Sequence, residues 1–236
     1  MISNKKNAII VGVLYIIGTV AGVLSVVFTQ PILNASNYLV KVSANQNQVV
    51  VGALFVLTMG FALAMVPVML FPILKKQNES LALGYVVFRG ALETFTYIAL
   101  VIIWMFLLAA SQEYSSAGAS QGLYLQSLGN VLLKGNDSVN TILIFVFGLG
   151  ALMLYLMLYR SKLIPRWISV WGFISILLHL TTGFLIIFRL TDSNATITTV
   201  MNIPIFLQEM VMAVWLIIKG FNSSALSSLS AKLVMN

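Results

Sequence analysis

Residues 82–108 form an apolar run long enough to cross a lipid bilayer, yet Arg89 and Glu93 sit four residues apart inside it. A helix through hydrocarbon needs about 20 mainly apolar residues. A charge placed within one must be satisfied by the protein rather than by lipid. This stretch therefore demands a bundle, with other helices enclosing the pair. The rest of the chain supplies them, with spans expected at about 8–28, 49–74, 81–110, 141–159, 167–188 and 199–218.

Composition points the same way. Of 236 residues, 60% are hydrophobic and 8% charged, whereas a soluble domain carries about 25% charged residues. The chain cannot cover its own surface in water, and it reads as an all-α, polytopic integral membrane protein. The expected organisation is a head at 1–7, a six-helix transmembrane domain at 8–221 and a serine-rich tail at 222–236. A cleaved signal peptide normally has an apolar core of about 7–15 residues, shorter than the first run here. The net charge of +7 comes from basic residues scattered between apolar runs. That pattern orients membrane helices and speaks against a nucleic-acid partner. There is no cysteine, which excludes disulfides, thiolate metal sites and cysteine nucleophiles.

Orientation follows from counting cations near the span ends. Lys5, Lys6, Lys75, Lys76, Arg160, Lys162, Arg166, Lys219 and Lys232 fall on one side, and Lys41, Lys134 and Arg189 on the other. Nine against three predicts both termini in the cytoplasm, with the protein in the cell (plasma) membrane. Trp167 and Trp171 read as interfacial anchors. Gly18 and Gly22 form a Gly-x-x-x-Gly pair of the kind that lets helices approach closely. Pro67 and Pro72 are expected to loosen the end of the second span. Residues 111–140 read as the longest connection, in which Leu123, Leu128, Val131 and Leu132 suggest a short surface-lying helix. Gly122 and Gly129 oppose that helix.

The ionisable residues inside the spans are Arg89 and Glu93 in the third, His179 in the fifth and Glu209 in the sixth. At about 1.5 Å per residue they lie some 12–18 Å from the cytoplasmic ends, so one layer can hold all four. Tyr97 continues the four-residue spacing of Arg89 and Glu93. Asn202 and Glu209 are seven apart and share a face of the sixth helix, with Gln208 turned away by roughly 100°. Arg89, Glu93, Tyr97, His179, Asn202 and Glu209 are thus the candidate polar cluster, functional or structural. Two carboxylates against one permanent cation require either a proton on a carboxyl or a charged His179. A single histidine without a ligand motif predicts no metal site. The absence of a Gly-x-Ser-x-Gly elbow and of a phosphate loop leaves no cofactor indicated. Five Asn-x-Ser/Thr sequences occur, with Asn34, Asn136 and Asn194 in expected outside loops. An Asn- and Ser-rich chain produces such sequences by chance.

The turn Leu158-Tyr159-Arg160-Ser161-Lys162-Leu163-Ile164-Pro165-Arg166-Trp167-Ile168-Ser169-Val170-Trp171-Gly172 resembles the signature turn of a mainly bacterial membrane family, domain of unknown function 4386. The segment from Pro204 through Glu209 to Phe221 is similar to that family's last helix, and Arg89-x-x-x-Glu93 to its charged third helix. The resemblance implies a six-span membrane protein and brings no activity or catalytic residues with it. Three function classes follow. The first is a small transporter or proton/ion-coupled protein using the Arg89/Glu93/Glu209 layer, with a small ion or small molecule as substrate. The second is a non-catalytic membrane subunit whose charges lock helices together. The third is an intramembrane enzyme acting on a lipid, with a glutamate as base and His179 assisting, so the question of catalysis stays open. The bilayer itself is the one partner common to all three.

Overall fold

The computed structural model describes residues 4–117, 119–193 and 195–235. The sequon residue Asn194, the first three residues of the head and the side chain of Lys232 lie outside the described parts. Among the described residues all regular structure is helical. The helices are α1 (Asn4–Leu33), α2 (Tyr38–Ala44), α3 (Gln46–Leu74), α4 (Glu79–Tyr85), α5 (Glu93–Ser116), α6 (Ala119–Ser161), α7 (Arg166–Ile187), α8 (Thr196–Ile218) and α9 (Ser223–Met235). A π-helical segment, Val86–Leu92, joins α4 to α5. Six helices are long and apolar enough to cross a membrane, with α4, the π segment and α5 acting as one.

One expectation differs from what is observed. The stretch 111–140 is not an open connection with a short surface helix: α5 runs to Ser116 and α6 continues for 43 residues, about 65 Å of helix. The two glycines that argue against helix are offset by packing. A side chain at Gly129 would collide with the Tyr38 hydroxyl, and Gly122 faces the Tyr114 ring. Asn136 is accordingly not a loop residue, since its Oδ1 accepts the indole N–H of Trp104 at 2.9 Å. The serine-rich tail is also helical. Asn222 accepts from the Ser224 backbone and hydroxyl, and Ala225 and Leu229, four apart, are buried. Pro67 and Pro72 lie inside α3, which runs on to Leu74.

The chain divides into two compact units. One comprises Gly18–Phe61 and Phe95–Asn140. In it Gly22 lies against Met59, and Gly60 against the ring of Tyr97. Polar pairs tie its helices: Gln112 to Gln46 at 3.0 Å, Ser115 to Ser43 at 2.8 Å, and Tyr38 to Asn130 at 2.8 Å.

The other unit comprises Met1–Ile17, Ala62–Thr94 and Thr141–Asn236. Its core holds Tyr15, Tyr85, Leu154, Tyr155, Met157, Ile168, Ile176 and Met212. Small residues set its helix contacts, as is usual where no hydrophobic force separates helix from lipid. Gly12 of α1 touches the Ala213 carbonyl of α8, Gly172 of α7 seats the Tyr155 ring, and Gly150 of α6 meets the backbone at Arg89. These approaches bring α1, α6, α7 and α8 around the π segment.

Candidate functional site

The π segment is wound with i→i+5 bonds, as the Glu93 amide donating to the Phe88 carbonyl shows. Such widenings are frequent at functional sites. Here the segment carries Arg89, and α5 begins with Glu93. Arg89 Nη1 lies 3.0 Å from each carboxylate oxygen of Glu93, and Nη2 lies 3.0 Å from Oε1 of Glu209 on α8. The guanidinium carbon sits 4.4 Å from the centroid of the Phe147 ring on α6 and 5.9 Å from that of Tyr15 on α1. Desolvation strengthens such cation–ring contacts.

Burial separates the two carboxylates. The side chains of Arg89 and Glu93 are 3% and 1% exposed, while that of Glu209 keeps 15%. A buried ion pair survives its desolvation cost only when its geometry is good and its spare valences are filled. The Arg89–Glu93 pair meets that condition with two oxygens on one nitrogen. Counting formal charges, one guanidinium faces two carboxylates, so a single proton on the cluster makes it neutral.

Two neutral networks flank the cluster in the same unit. The Tyr155 hydroxyl donates to Oε1 of Gln208 at 2.6 Å, and Gln208 Nε2 donates to the Ile168 carbonyl at 3.1 Å. Tyr15 and Tyr85 hydroxyls lie 3.3 Å apart. His179 Nδ1 is 2.7 Å from Asn202 Oδ1. An amide oxygen only accepts, so Nδ1 carries the proton of that bond. The other ring nitrogen, Nε2, is buried with no hydrogen-bond partner among the described residues. The His179 ring meets Phe147 edge-on, 5.0 Å between centroids.

The structure thus joins Arg89, Glu93 and Glu209, and joins His179 to Asn202 instead of to a carboxylate. Tyr97 falls in the other unit, against Gly60. Among the described residues no three of His, Asp and Glu are placed to hold a metal ion. Sequence reasoning missed Gln208, Tyr155, Phe147 and the π winding. Gln208 is fully buried, because it falls on the enclosed stripe of α8 with Ile205, Met212 and Leu216. A tyrosine or a glutamine in mid-span was the available signal. No residue pattern announces the π turn.

Fold and site together define a polytopic α-helical membrane protein with a buried, charge-asymmetric Arg–Glu–Glu cluster. The domain of unknown function DUF4386 matches residues 10–220, and the chain belongs to that family. Neither the curated proteins nor the solved structures contain a match.

Proposed function

We propose that this is a small proton- or ion-coupled membrane protein in which Arg89–Glu93 is a fixed pair and Glu209 is the exchanging carboxylate. One observation carries the reading: the two carboxylates on Arg89 are unequal. Glu93 commits both oxygens, whereas Glu209 commits one and keeps some exposure. A purely structural lock needs one carboxylate per cation. A second, partly accessible one is a group on which a proton or small cation can come and go. The cation distribution along the sequence supports cytoplasmic termini and a plasma-membrane location.

The test is proton uptake into liposomes holding the purified protein and a pH-sensitive dye, under an imposed gradient. Wild type should exceed empty vesicles, and Glu209→Gln should abolish the excess while the protein remains folded. Equal rates for wild type, variant and empty vesicles would remove the proposal.

A second reading, the structural subunit, is favoured by the depth of Arg89 and by its three hydrogen bonds. Under it, Glu209→Gln alters thermal stability and no flux exists to lose. The intramembrane-enzyme reading gains nothing, since the unbonded ring nitrogen of His179, Nε2, is buried and the ring is tied to Asn202 rather than to either glutamate.

A further inference from the structure

The connection between α6 and α7 is short and held rigidly. Leu163 and Ile164 are buried in the core, and the Leu163 carbonyl accepts the Asn222 amide at 2.9 Å. Lys162 has φ +57°, a left-handed conformation that non-glycine residues adopt only when their surroundings impose it. The Arg166 guanidinium carbon lies 4.9 Å from the centroid of the Tyr159 ring, which folds the start of α7 back onto the end of α6. Arg160, Lys162 and Arg166 are all exposed. Among the described residues none of the three forms an ion pair, and residues 155–175 contain no acidic side chain. Beside them Trp167 and Trp171 stack with centroids 6.3 Å apart, and Trp167 is half exposed.

The orientation rule asks only for positive charge near a span end and leaves its geometry free. Here three unneutralised cations are fixed on one rigid turn next to an indole pair. Indoles favour the headgroup level of a bilayer, and guanidinium and ammonium groups suit phosphate oxygens. We propose that this turn is a binding site for the phosphate of an anionic phospholipid, with Arg160, Lys162 and Arg166 on the headgroup and Trp167 and Trp171 along the glycerol and upper chain. The lipid, not a free phosphate, is the ligand, because the exposed cations are followed directly in the chain by the stacked indoles.

The experiment titrates phosphatidylglycerol, and separately phosphatidylcholine, into detergent micelles holding the full chain while thermal unfolding is followed. Phosphatidylglycerol should raise the midpoint saturably and phosphatidylcholine should not. Each cation removed should weaken the apparent affinity about fivefold. Arg166→Gln should show one such step and the Lys162→Gln/Arg166→Gln pair two. Arg189→Gln, an exposed cation beyond the opposite end of α7, should change nothing. On the wild type alone, 1 M salt should weaken phosphatidylglycerol binding, since exposed charges are then screened within about 3 Å. Equal effects of the two lipids, equal losses in Arg166→Gln and Arg189→Gln, no salt dependence, or the same shift with inorganic phosphate alone would each overturn the assignment.

Discussion

Replacing Arg89 by methionine tests whether the cluster is held by charge or merely filled by volume. Methionine keeps much of the unbranched stem, so packing against Phe147 and Tyr15 is largely preserved. What disappears is the cation and its bonds to Glu93 and Glu209 at 3.0 Å. Glu93 is then a carboxylate with no exposure in the residue as a whole that has lost the guanidinium of Arg89. Removing one partner of a buried pair costs about 3–5 kcal/mol, because the remaining charge stays desolvated. For a chain of this length about 2–4 °C accompanies each kcal/mol. The unfolding midpoint in detergent should therefore fall by roughly 6–20 °C. Glu93→Gln should cost less, since Arg89 keeps Glu209. Glu209→Gln should cost least, within about 1 kcal/mol, because the lost charged hydrogen bond is offset by relief of the surplus negative charge. Adding Glu93→Gln to Arg89→Met should recover part of the loss. Differential scanning fluorimetry on purified protein reads all four. If Arg89→Met shifts the midpoint by less than 2 °C, or if Glu209→Gln is the most damaging, the buried-charge account is wrong.

Two further substitutions follow from close packing and from buried hydrogen bonds. A Cβ on Gly12 would lie 2.5 Å from the Ala213 carbonyl oxygen and 2.6 Å from Ile217 Cγ1, so Gly12→Ala must push α1 from α8. The expected loss is about 1–3 kcal/mol, measured by thermal unfolding, and an unchanged midpoint would show that the helices are not seated there. Gln208→Leu strands the buried Tyr155 hydroxyl and the Ile168 carbonyl and should cost about 1–3 kcal/mol. Combining it with Tyr155→Phe should restore part of that loss, and strict additivity of the two would count against the bond.

The membrane class and the joining of Arg89, Glu93 and Glu209 were legible because each rests on a strong local signal. Twenty apolar residues in a row have few other fates, and a charge among them must find a partner. The 111–140 stretch was misread for the opposite reason. Its glycines lower local helix propensity, and only the Tyr38 hydroxyl against Gly129 shows why glycine belongs in that helix. Propensity is a local quantity that tertiary contacts override. The same holds for Gln208. A helical wheel separates it from Glu209 by a fixed angle, but that angle cannot say how wide the enclosed stripe of α8 is.

The side chains that α8 offers its neighbours give the Glu209 proposal its mechanical content. Asn202 holds His179, Gln208 holds Tyr155 and the Ile168 carbonyl, and Glu209 holds Arg89. Two of these are amides, which do not themselves titrate. Glu209 alone of the three can gain or lose charge, and it is adjacent to Gln208 in sequence. A proton arriving at Glu209 would therefore weaken one tie on a helix still held at the next residue. The change would fall on the link between α8 and the π segment and leave the α8–α6 link in place. Arg89 would meanwhile keep Glu93, so no uncompensated cation is created inside the bundle. A cluster with a single carboxylate could not do this, because protonating it would strand the arginine. The second glutamate is what allows the site to change its charge without leaving a buried ion alone.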